Sequence, residues 1–139
     1  MKLLDTNVLV YARKPTSHFH EWALNQIASL VSTEGVGLNA ASLAELCAED
    51  GIDSALLLRE ITAFGVQMLD IPTEAAVICG EAYRNYRRKR KRQSGKDSPK
   101  IPLPDFFIGA HAELLGLDLV TNDSERYRAY FPNVKLVTP

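Results

Sequence analysis

The feature that most constrains this chain is its first apolar stretch, Lys2-Leu3-Leu4-Asp5-Thr6-Asn7-Val8-Leu9-Val10-Tyr11, which is interrupted by one acid. Two leucines before Asp5 suit a short buried strand, and the apolar residues after it suit the start of a helix. In an open parallel sheet the functional crevice lies at the carboxyl ends of the strands, so an acid at that handover points into it. Asp5 is therefore the anchor residue, and the other candidates are groups that could join it.

The remaining chain alternates strand-like and helix-like segments. Helices are expected over 6–12, ended before Pro15, and over 18–31 with Ser17 as cap. A strand over 36–39 leads to a helix over 40–49. A helix over 52–64, closed by Gly65, precedes a strand over 66–71, which Pro72 stops. A long helix from Thr73 runs into a basic tract and frays there, and residues 93–100, rich in Ser, Gly, Asp and Pro, read as a mobile loop. Pro102-Leu103-Pro104-Asp105 opens a helix to Leu115, with proline in its first turn and Gly116 at its end. A strand over 117–121, a short helix over 124–130 and a strand over 134–137 complete the pattern. The alternation predicts an α/β fold of three α/β/α layers around a central, mainly parallel sheet. The 139 residues suit one domain spanning 1–139.

Charge separates a part of the chain from the rest. Between Arg84 and Lys100 there are nine basic residues against Asp97 alone, while the remaining sequence carries seven basic and sixteen acidic residues. A block of this kind suits a polyanion, the competing reading being a solvated charge run. Cys47 and Cys79 have no second ligand at metal-binding spacing and read as reduced thiols. The first apolar run has neither the layout of a signal peptide nor the length of a membrane span, so a cytoplasmic protein without membrane contact is expected.

Four acids fall near the expected crevice: Asp5 after the first strand, Glu45 in the helix after the second, Asp105 at the start of a late helix, and Asp123 after the fourth strand. Carboxylates of this kind suit Mg²⁺ or Mn²⁺, which can activate water and stabilise in-line attack on a phosphodiester. Each acid has a plainer explanation. Asp5 and Asp123 could be N-caps, Asp105 sits where a helix dipole favours anions, and Ser42-x-x-Glu45 matches a capping box. Glu49 shares the Glu45 face at i+4. His18, His20 and His111 lack ligand spacing, and no hydroxyl has a triad-like context. Asp5-Thr6-Asn7 partly resembles the first motif of haloacid-dehalogenase-type phosphatases, but Asn7 replaces the acid needed there.

The ordered set resembles PIN-domain proteins of the VapC-type toxin group. It rests on Leu3-Leu4-Asp5-Thr6-Asn7, the Glu45 helix, Pro102-Leu103-Pro104-Asp105-Phe106-Phe107-Ile108-Gly109-Ala110-His111-Ala112, and Leu119-Val120-Thr121-Asn122-Asp123 with Arg126-Tyr127 and Tyr130-Phe131-Pro132. The resemblance implies that Asp5, Glu45, Asp105 and Asp123 bind Mg²⁺ or Mn²⁺ and cut RNA, supported by Thr6, Asn7 and Thr121. It also implies a cognate antitoxin and a homodimer. Two departures stand out: Asn122 occupies a position where such sequences often carry Arg, and the basic segment exceeds the family core. Arg84, Arg87, Arg88, Lys89, Arg90, Lys91 and Arg92 are expected to hold the RNA backbone. The alternative is a catalytically inactive PIN scaffold that binds RNA or a partner.

Overall fold

The computed structural model describes residues 1–95 and 100–139. Among these residues, five strands form one parallel sheet in the order β3-β2-β1-β4-β5: β1 (Lys2–Leu4), β2 (Val36–Asn39), β3 (Gln67–Leu69), β4 (Asp118–Val120) and β5 (Leu136–Val137). Every described pairing is parallel, with Leu3 opposite Gly37 on one side and Leu119 on the other. The chain builds outward from β1 to β2 and β3, then crosses to β4 on the opposite side of β1. The switch point of the sheet thus lies at β1, which is where an open α/β sheet places its crevice.

Alternation along the strands divides the core in two. Leu3 and Leu119 face a cluster with α5 (Thr73–Ser94), α6 (Leu103–Leu115) and α7 (Ser124–Tyr130), built on Phe106, Ile108, Tyr127 and Phe131. Their neighbours Leu4 and Val120 face the opposite cluster, with α1 (Thr6–Arg13), α2 (His20–Ser32), α3 (Ala40–Cys47) and α4 (Ser54–Ala63). Successive strand residues point to opposite faces, so two adjacent apolar residues in a three-residue strand serve two cores. The expected three-layer α/β/α architecture is the one observed.

Several boundaries and caps differ from expectation. α2 starts at His20 without a side-chain cap, and Ser17 instead accepts from the Phe19 N–H in the preceding turn, at 3.2 Å. α3 stops at Cys47, before Glu49. Its cap is Asn39, which accepts from Ser42 N–H at 3.0 Å, so the capping box weighed as the plainer explanation of Glu45 does not form. α4 is capped by Asp53. The basic tract does not fray at its start: α5 remains helical through Ser94, and Gly95 closes it with φ of +67°. Of the loop expected over 93–100, residues 96–99 lie outside the described residues. No helix among the described residues is long and apolar enough to cross a membrane.

Candidate active site

The carboxyl ends of the three central strands deliver the site. β1 ends at Leu4 and hands over to Asp5, β2 ends at Asn39, which caps the helix carrying Glu45, and β4 ends at Val120, followed by Thr121, Asn122 and Asp123. Asp105 arrives separately, in the first turn of α6. All four predicted acids line one open cleft of about 630 Å³, together with Thr6, Asn7, Asn122 and Arg126. Glu49 lines the same cleft from an exposed position beyond the end of α3.

Asp5 is held most firmly. Its carboxylate accepts from Thr6 N–H at 2.7 Å, from the Asn7 side-chain amide at 2.9 Å and from the Thr121 hydroxyl at 2.7 Å. Asp5 is therefore the N-cap of α1 as well as a wall of the cleft, and the cap and site readings coexist. Burial outweighs those hydrogen bonds and pushes its pKa up to about 6. Thr121 Oγ1 also accepts from Asp123 N–H at 2.9 Å, tying the β4 loop to β1. Asn7 accepts from Asn122 N–H, and the Asn122 amide donates to the Tyr11 hydroxyl at 3.1 Å. All three support residues named from sequence thus touch the acids or their loop; the third, Thr6, donates through its hydroxyl to Glu45 at 3.2 Å.

Glu45 is pushed up to about 7, first by burial and then by the charge of Asp105 facing it. Asp105 is also raised, by burial, even though Arg126 opposes the shift. Mutual repulsion between the two carboxyls is relieved when a proton sits between them. Asp123 stands at the N-cap position of α7 but makes no side-chain cap bond. Its carboxylate instead meets Arg126 Nη2 at 2.7 Å, while Arg126 Nη1 meets Asp105 at 2.8 Å. The cap explanation therefore fails for Asp123. Arg126 had no role assigned from sequence, although its i+3 spacing from Asp123 on a short helix places the two on one face.

The donor chemistry fits a hard divalent cation: the candidate ligands of the cleft are carboxylates, backed by hydroxyls and amides, with no thiol or imidazole among the described residues that line it. The spacing is looser. Among the described residues, no group of three or more His, Cys, Asp or Glu is gathered closely enough to hold an ion, and Arg126 is the cation that Asp105 and Asp123 share. The histidines take no part. His111 is fully buried, its Nδ1 accepting from the Asn39 amide at 3.3 Å, and His20 Nδ1 donates to the Tyr11 carbonyl at 2.9 Å. Cys47 and Cys79 are free thiols, and burial pushes Cys79 up to about 11.

Comparison with known proteins gives a concordant picture. The family model described as PIN domain matches residues 2–132. A chain of the VapBC2 structure from Rickettsia felis, solved bound to a DNA fragment from their promoter, is 22% identical with a TM-score of 0.68, covering 99% of this chain and 97% of that one. A chain of FitAcB from Neisseria gonorrhoeae is 25% identical with a TM-score of 0.65, covering 100% and 98%. A toxin-antitoxin complex from Klebsiella pneumoniae supplies a third, 20% identical with a TM-score of 0.65, covering 100% and 98%. Curated proteins gave no match.

Proposed function

The chain belongs to the PIN domain family, and from that premise we propose that it is a metal-dependent endoribonuclease, the toxin half of a toxin-antitoxin pair. The observation that carries the reading is the convergence of Asp5, Glu45, Asp105 and Asp123 on one cleft at the sheet's switch point, with Asp5 and Glu45 raised to about 6 and 7. Carboxyls raised by burial and by one another form a site short of positive charge, which is the electrostatic condition a divalent cation relieves. Asp5, Asp105, Asp123 and Glu45 would hold Mg²⁺ or Mn²⁺. Such an ion supplies a lowered water pKa and stabilisation of the charge on an attacked phosphodiester. Thr6, Asn7 and Thr121 orient the carboxylates so that little rearrangement is needed when substrate arrives.

The solved VapBC2 and FitAB assemblies and the Klebsiella complex support an antitoxin as partner of this chain. The family resemblance extends the proposal to a homodimer. Purified protein is expected to cleave RNA with Mg²⁺ or Mn²⁺ and to stop in EDTA. Asp105→Asn should abolish cleavage while leaving the circular dichroism spectrum intact. Wild-type rates in that variant would remove Asp105 from the chemistry.

One observation favours the second reading, an inactive scaffold that binds RNA or a partner: Arg126 already neutralises two of the four acids. That reading predicts no cleavage and no response of stability to divalent metal.

A further inference from the structure

Three cavities of this structure share walls in series. The acid cleft and a second groove of about 450 Å³ both include Asp123 and Arg126, and that groove shares Lys89 and Tyr130 with a third, of about 120 Å³, against α5. The third is lined by Tyr86, Lys89, Arg90, Gln93 and Ser94, with Tyr130 from α7 opposite. Those five follow i, i+3, i+4, i+7 and i+8 spacing, so one face of the basic helix adjoins the site. Arg84, Arg88 and Lys91 share the opposite, exposed face.

The middle groove carries Asp123 and Glu125 beside Arg126, so its charge is balanced there, and the wall it shares with the outer cavity joins a lysine to an aromatic ring. The Lys89 ammonium lies 5.9 Å from the Tyr130 ring centroid, which pairs a phosphate-seeking charge with an aromatic surface. Tyr130 is itself fixed by edge contact with Tyr86 and by packing on Phe106. Proteins that hold single strands combine a positive groove along the backbone with aromatic rings on which bases stack. An acidic polypeptide would satisfy the charge of α5 but makes no use of the ring or of continuity with the acids.

We infer that single-stranded RNA runs from the acid cleft past Arg126, places a base on Tyr130, and lies with its backbone along the Tyr86-to-Ser94 face of α5. This rests on the nuclease reading for its polarity toward the acids. It reduces the seven basic residues expected from sequence to Lys89 and Arg90 as the pair beside the track.

The test is binding of a fluorescent ten-nucleotide RNA to the 139-residue chain in EDTA, where cleavage does not intrude. Lys89→Gln with Arg90→Gln should weaken binding and lower the slope of log affinity against log salt by about 0.7 for each phosphate no longer neutralised. Tyr130→Leu should weaken it about tenfold, and Tyr130→Phe should restore it. The triple variant Arg84→Gln, Arg88→Gln, Lys91→Gln removes more charge from the opposite face and should cost less. If the double variant melts early, Lys89→Gln alone, at an exposed side chain, carries the comparison. The inference is overturned if the triple variant loses as much as the double, or if Tyr130→Leu binds like wild type. It is equally overturned, in favour of an acidic polypeptide, if poly-glutamate displaces RNA as well as unlabelled RNA of equal charge does. RNA bound as described but uncut with Mg²⁺ would leave the track standing and end the nuclease reading. RNA cut normally by protein whose track variants bind like wild type would do the reverse.

Discussion

Glu45 shows how one side chain can tie two helices together and still hold a raised carboxyl in the cleft. Its hydrogen bond from Thr6 ties α3 to α1, while burial and Asp105 raise its pKa to about 7. The folded state therefore holds a proton that the unfolded chain, with a carboxyl near its ordinary value, has already released. Across the window from the ordinary glutamate range up to about 7, the folded protein binds more protons, so stability falls as pH rises. In EDTA, the melting temperature of wild type should drop between about pH 5 and pH 7.5, and Glu45→Gln should drop less. Equal slopes for the two proteins would mean that Glu45 is not the raised group. Asp123 makes the complementary point: its sequence position suggested a cap, and only the folded arrangement shows that its carboxylate serves Arg126.

Among the elements, α6 places the acid that no strand delivers. It carries Asp105 in its first turn and buries Phe106, Ile108 and His111 over the sheet. Gly109 lets this helix approach the segment after α7, because a Cβ there would overlap the Phe131 ring. Gly109→Ala should therefore destabilise by about 1 to 3 kcal/mol through overpacking, read as a lower melting temperature, and adding Phe131→Leu should recover part of the loss. A neutral Gly109→Ala would show that the Phe131 side chain yields freely. Elements were largely visible in sequence, since proline and glycine punctuation and apolar spacing are local. The start of α2 was not, because Ser17 spends its hydroxyl on the turn before the helix, and the cap of α3 was not, because Asn39 was read as the end of a strand while its side chain serves the helix beyond it. The length of α5 escaped too: a tract of like charges argues for fraying, but Ala75, Cys79, Ala82 and Tyr86 anchor one side of it in the core.

At the scale of the whole molecule, the cation site proposed for the cleft carries one prediction. If the cation enters the cleft, it must take Asp105 and Asp123 from Arg126, so binding stabilises the fold by mass action, about 2.7 kcal/mol at a hundredfold excess over Kd. Wild type should gain melting temperature with Mn²⁺, and Arg126→Gln, with its two carboxylates released, should start lower in EDTA and gain more. No shift in either protein would count against a metal site. The sequence by itself determined the α/β class, the core-facing strands and the four acids in order, because these depend on periodicity and on residue type. Only the tertiary structure decided that β1 lies between β2 and β4, that Thr121 and Asn7 close on Asp5, that Arg126 bridges Asp105 and Asp123, and that Lys89 faces Tyr130. Those contacts join residues far apart in the chain or choose one partner among several for the same charge, and that choice is made by packing, on which local pattern is silent.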